Sequence, residues 1–263
     1  MKSGKPVVVF LVKDKTISII GAGSLGTAVI EALNSQGHEK IIATRRSDQG
    51  LEELQQNYDV KASKNNFYAV ENSDIVILGV KPYLIEEICK EIKPYAQGKL
   101  VISLAAAKSI SEIEDVLGES RICRVMTGIF VKDEVAAYSF GSKRNEEDAE
   151  IVRYIFGNDA IEVEENALAD RTWIACDTGL LAKEVENKIK SLEYMDENSA
   201  RIMYAATLEA VSKGLRDGMT GNQIFDKVAG SGSFTEKLHN SLKEKGIYKH
   251  MAKLVKETIK VCK

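Results

Sequence analysis

From Thr16 onward the chain alternates between short apolar runs and longer stretches in which apolar residues recur every three or four positions. The runs "TISII" (16–20), "KIIAT" (40–44), "DIVILGV" (74–80), "KLVISLA" (99–105) and "RICRVM" (121–126) are rich in β-branched residues and short enough for strands. Several are apolar almost throughout, the pattern of parallel strands covered on both faces. Between them lie helical spacings: Leu25–Val29–Leu33, then Ile85, Ile88 and Ile92 after Pro82, then a stretch opened by the capping box Ser109–Glu112. "VAAYSFG" (135–141) and "AIEVEE" (160–165) read as late strands. Such alternation predicts an α/β fold with a parallel sheet between layers of helices.

Beyond Glu165 the strand signal stops. "NALADRTWIACDTGLLAKEVENKIKSL" and "DENSARIMYAATLEAVSKGL" keep helical spacing, the second with Asp196 placed to cap it. Thr220 with Gln223, and Ser233 with Glu236, form two further capping boxes. The chain therefore divides into an α/β part, 1–163, and an all-helical part, 164–263.

Composition narrows the classes. A net charge of −3 offers no broad basic field for nucleic acid or anionic lipid. No apolar stretch approaches the ~20 residues of a membrane helix. The N-terminal "VVVFLV" is too short for a signal segment and reads as an edge strand or a loose arm. Cys89, Cys123, Cys176 and Cys262 lie far apart with no CxxC pair, which argues against zinc or a disulfide framework and for a reducing cytoplasm. His38 falls in a surface turn and His239 and His250 among late lysines, so none reads as a catalytic base or metal ligand.

Gly21, Gly23 and Gly26 make a GxGxxG that follows one predicted strand and opens one predicted helix, with Ser24 and Leu25 in its first turn. In that setting the first glycine permits a tight turn, the second lets backbone approach a pyrophosphate, and the third lets helix and strand pack closely. The phosphates then sit on unpaired N–H groups at the positive end of the helix. After the second strand, where an acidic residue would bind the ribose 2′-hydroxyl of NAD, the chain has Thr44, Arg45, Arg46 and Ser47. Two guanidiniums and two hydroxyls suit a dianionic 2′-phosphate, so NADP is favoured over NAD and over FAD.

These motifs, together with "SDIVILGVKP" (73–82), "VISLAAAKSISEIE" (101–114), "RVM" (124–126), "EENALADRT" (164–172) and "VAGSGSFTEKL" (228–238), resemble pyrroline-5-carboxylate reductases along nearly the whole chain from Thr16. The resemblance implies a Rossmann domain followed by a helical domain through which subunits interlock as homodimers or larger homo-oligomers. It implies NAD(P)H-dependent reduction of the cyclic imine Δ1-pyrroline-5-carboxylate to proline, a step of amino-acid biosynthesis. By position, Asn66 would help hold the ribose or 2′-phosphate. Val80, Lys81 and Pro82 would line the strand end near the cofactor, and Ala105 and Ala106 would sit near the nicotinamide. Thr235 falls where the family contacts substrate from the partner subunit, and Gly232 and Ser233 lead into that helix.

The substrate side departs from the family pattern. "TGIF" (127–130) stands where Asn-Thr-Pro is usual, "ACDTGL" (175–180) replaces Ser-Gly-Ser-Gly-Pro-Ala, and "GSGS" (230–233) replaces Ser-Pro-Gly-Gly. Backbone N–H groups around Asp177, Thr178 and Gly179, and around Gly232–Phe234, are the expected carboxylate donors. Two other readings stay open. Lys183 and Asn187, four apart on one helix face, resemble the pair of β-hydroxyacid dehydrogenases and ketopantoate reductases, in which lysine protonates a keto acid. A non-catalytic NADP-binding sensor is the third.

Overall fold

The computed structural model describes residues 12–262; the expected N-terminal strand or arm lies almost wholly outside them. One sheet of eight strands carries the first part of the chain: β1 (Ile17–Ile20), β2 (Ile41–Thr44), β3 (Lys61–Ser63), β4 (Ile75–Leu78), β5 (Leu100–Ser103), β6 (Arg121–Met126), β7 (Ala137–Phe140) and β8 (Ile161–Glu162). Their order is β3-β2-β1-β4-β5-β6-β7-β8. All neighbours are parallel except β6 and β7. That exception follows from the connection: Thr127–Ala136 is a loop with no crossover helix, so the strand can only return antiparallel. β3 escaped the sequence reading because Lys-Ala-Ser is short, polar and at an edge, with no apolar run to announce it.

Alternation along each strand sorts the core into two layers. Ile17, Ile19, Ile75, Ile77, Leu100, Ile102, Cys123 and Val125 face one way, onto helices α1 (Ser24–Ser35), α2 (Asp48–Asn57) and α6 (Asp148–Phe156). Ile20, Ile42, Val76, Leu78, Val101 and Ile122 face the other, onto α3 (Asn66–Glu71), α4 (Ile85–Ile92) and α5 (Ile110–Leu117). Both faces of the strands are covered, as their near-continuous hydrophobicity requires. The capping box of Ser109 and Glu112 is formed at α5. At the far side of the sheet, Arg121 grips the buried Asp148 with two bonds of 2.9 and 3.1 Å, tying β6 to the first turn of α6.

The rest is helical: α7 (Leu168–Lys190), α8 (Glu197–Arg216), α9 (Gly221–Val228), α10 (Phe234–Glu244) and α11 (Ile247–Val261). By contacts the chain forms two compact units, one running to Cys176 and taking in the chain end from Ile259, the other Asp177–Thr258. Asp196 caps α8 and the Thr220–Gln223 box opens α9. Within Asp177–Thr258 only Ile189 and Ala200 are buried, while Ile202 is 64% exposed and Met203, Leu238 and Phe234 are exposed too. No helix among the described residues is long and apolar enough to cross a membrane.

His38 is not at the surface. It is 1% exposed, and its Nδ1 lies 3.1 Å from the Tyr154 hydroxyl of α6. The turn after α1 tucks inward, and burial lowers the imidazole pKa below its usual 6.5. A depressed histidine stays neutral in the fold but takes up a proton in the unfolded chain, so stability falls as pH drops below 6.5. The thermal midpoint should therefore decline between pH 7 and pH 5 more steeply for the native chain than for His38→Gln. Parallel slopes would contradict this.

Candidate functional site

Strand order reverses between β1 and β4, and the loops leaving their carboxyl ends meet there. Gly21 has φ of +90°, a left-handed conformation that favours glycine, and a β-carbon on it would lie 2.5 Å from Val80 Cγ1. A β-carbon on Gly26 would lie 2.8 Å from the Gly21 carbonyl oxygen, and so would one on Gly79. Three backbones thus converge where no side chain fits. Gly23 is different: nothing lies within 4 Å of its β position. It is the N-cap of α1 and makes no side-chain cap, so the N–H groups of the first helical turn are left for a ligand.

This end of α1 opens on a groove of about 350 Å³ lined by Gly23, Ser24, Thr27, Ala28, Glu31, Arg45 and Ile129. An open β position beside uncapped helix donors fits a dinucleotide pyrophosphate. Ser24 is exposed within it, whereas Leu25 turns partly into the core. Arg45 reaches the groove from the end of β2 and pairs with Glu53 at 3.3 Å; Arg46 is exposed and has no ion-pair partner among the described residues. The neighbouring hydroxyls are already engaged. Thr44 is 2% exposed and its Oγ1 accepts from the Gly21 N–H at 3.2 Å, so it braces the glycine turn instead of facing a phosphate. Ser47 caps α2, accepting from the Gly50 N–H.

Asn66 opens α3 and donates to both oxygens of Glu91 on α4 at 3.2 Å. Val80 is half-buried against Gly21, Lys81 is exposed, Pro82 begins a 3₁₀ turn into α4, and Ala105 is buried with its N–H on Ser103 Oγ. Ala106 is half-buried beside it. The structure thus packs Gly21, Gly26 and Val80 into one cluster and sets Gly23 and Arg45 on the groove.

Two expectations on the substrate side need correction. Asp177, Thr178 and Gly179 lie well inside the continuous helix α7, where backbone N–H groups are taken by carbonyls four residues earlier. They offer no free backbone donors. At α10, Ser233 caps the helix by accepting from the Glu236 N–H, but Gly232 donates to Glu236 Oε2 at 2.5 Å and Ser233 to the Gly230 carbonyl at 3.0 Å. The donors left there are the first-turn N–H groups of Phe234 and Thr235 and the Thr235 hydroxyl, which has no hydrogen bond among the described residues. Lys183 and Asn187 stand on α7, both exposed.

Comparison with known proteins now bears on the site. Residues 16–107 match the model of the family described as NADP oxidoreductase coenzyme F420-dependent. The pyrroline-5-carboxylate reductase of Methanosarcina acetivorans is 30% identical over 248 residues, covering 89% of this chain and 92% of that one. The chain belongs to the pyrroline-5-carboxylate reductase family. Pyrroline-5-carboxylate reductase 2 of Bacillus subtilis is 26% identical over 94% of this chain and 93% of its own. Among solved structures, the Plasmodium falciparum pyrroline carboxylate reductase with NADP bound superposes with a TM-score of 0.85 at 19% identity, covering 94% of this chain and 97% of that one. As a family member the protein is an oxidoreductase that uses a nicotinamide cofactor.

Sequence reading of this reductase missed Gly79, Gly50, Glu31 and Ile129. Gly79 sat unremarked inside "ILGVKP", with only its place after a strand to suggest close approach. Glu31 and Ile129 enter the groove through folding alone. The second and third glycines of the turn, Gly23 and Gly26, should separate on substitution. Gly26→Ala should lose about 1–3 kcal/mol of stability through overpacking against Gly21 and Ile19. Gly23→Ala should stay within about 1 kcal/mol of native stability yet weaken nucleotide binding, because its β-carbon enters the groove. Denaturant titration and cofactor fluorescence would check both; an unchanged affinity for Gly23→Ala would count against the groove.

Proposed function

We propose that this protein reduces a cyclic imino acid, Δ1-pyrroline-5-carboxylate to L-proline, with NADPH, in a reducing cytoplasm. The observation that carries the reading is the crevice at the β1/β4 switch, with Gly23 open and a guanidinium at its edge, in a chain whose near-full-length relatives bear that activity in their names. Arg45 and Arg46 favour NADPH over NADH, with Asn66 near the ribose and Val80, Lys81, Pro82 and Ala105 along the crevice. The bound dihydronicotinamide supplies a hydride.

What the chain itself must do is modest. A protonated imine is already electrophilic, so catalysis rests on position and on exclusion of water. The iminium N–H can donate to the Thr235 hydroxyl. Its carboxylate suits the N–H groups of Phe234 and Thr235 at the positive end of α10, where Glu236 already satisfies Gly232. Lys183, exposed on α7, belongs to the alternative keto-acid reading.

We further infer that two copies pair through the helical unit. With only Ile189 and Ala200 buried in Asp177–Thr258, the apolar side chains of Ile202, Met203 and Leu238 stand exposed, and pairing would cover them.

NADPH absorbance followed with pyrroline-5-carboxylate should show turnover, and Thr235→Ala should cut kcat/KM about 10–100-fold, as expected for loss of a hydrogen bond to a charged group. Lys183→Ala should leave it unchanged. Turnover of a 2-keto acid that Lys183→Ala abolishes would instead establish the keto-acid reductase, and binding without turnover the sensor. In sedimentation the native chain should run as at least twice 29.0 kDa, and Ile202→Glu with Leu238→Glu should shift it toward a single chain.

A further inference from the structure

Resting on the cofactor reading above, we infer that Gly50 is a positioning residue for cofactor choice: its missing side chain is the bed on which Arg45 lies at the edge of the groove. Gly50 is buried in the first turn of α2. A β-carbon there would fall on Arg45 Nε and Cδ and lie 2.6 Å from its Cζ. The backbone does not need glycine here, since Gly50 is absent from the positive-φ positions of the described residues and its N–H makes an ordinary cap bond to Ser47 Oγ at 3.3 Å. In a helix, glycine costs stability relative to alanine. The compensation is room for the guanidinium.

The surroundings fix where that guanidinium goes. The Arg45 N–H donates to the Ser63 carbonyl at 3.2 Å, so its main chain is held by β3. Its Nη1 lies 3.3 Å from Glu53 Oε2, one turn along α2 from Gln49, which donates to the other oxygen of Glu53 at 3.1 Å. The Arg45–Glu53 pair is half-exposed, so it orients the arginine without holding it strongly, and a dianionic phosphate can displace the carboxylate. Arg45 borders the same groove as Gly23, Ser24 and Thr27. A β-carbon at position 50 would lift the arginine off α2 and away from this alignment, while a cofactor without the 2′-phosphate would be indifferent.

The test compares dissociation constants for NADPH and NADH in the full-length native protein, Gly50→Ala and Arg45→Ala, with thermal midpoints for all three. Gly50→Ala should hold or raise the midpoint, weaken NADPH about tenfold, and leave NADH unchanged, as for loss of one charge-assisted hydrogen bond. A Gly50→Ala protein that keeps native affinity for NADPH overturns the inference while Arg45→Ala still confirms the cofactor reading. Equal weakening of both nucleotides with a lowered midpoint also overturns it, since that is a structural effect. If the native protein binds NADH as tightly as NADPH and Arg45→Ala changes neither, the cofactor reading falls and takes this inference with it.

Discussion

The structure turns on a steric constraint: the backbones at Gly21, Gly26 and Gly79 approach so closely that a β-carbon on any of them would meet Val80 or the Gly21 carbonyl. The loop after β1, the first turn of α1 and the loop after β4 are thereby locked into one cluster at the point where strand order reverses. Thr44 adds the strand on the other side, its hydroxyl and carbonyl taking the N–H groups of Gly21 and Ala22 at 3.2 and 2.8 Å. The crevice and its unpaired helix donors follow from that packing.

Around this cluster the sheet is ordinary in its physics. β-Branched strands are covered on both faces by helices whose apolar stripes match. Polar anchors appear where the regular pattern breaks. The antiparallel return from β6 to β7 is pinned by Arg171, which donates to the Val135 carbonyl and to Glu134, each at 2.7 Å. The same loop carries Ile129, 57% exposed, to the rim of the groove.

The helical unit shows the opposite economy. Its helices are well capped yet bury almost nothing among themselves, and Ile202, Met203 and Leu238 stay exposed. The unbroken run of α7 through Asp177–Gly179 also removes one set of carboxylate donors that the family resemblance had suggested.

The central strands of the sheet were legible from the sequence because burial on both faces demands long apolar runs, and so was the glycine turn, because only glycine fits the crowded positions 21 and 26. Caps at Ser109, Asp196 and Thr220 were legible because they are local, one side chain meeting a donor three residues away. β3 was not, since three polar edge residues borrow their structure from β2. Nor could sequence tell that His38 is buried against Tyr154, that Thr44 turns inward, that Gly232 spends its N–H on Glu236, or that Arg45 rests on Gly50. Periodicity and spacing record which face of an element is covered. Which atoms then meet, and which donors remain free, depends on how distant elements pack, and only the tertiary structure decides that.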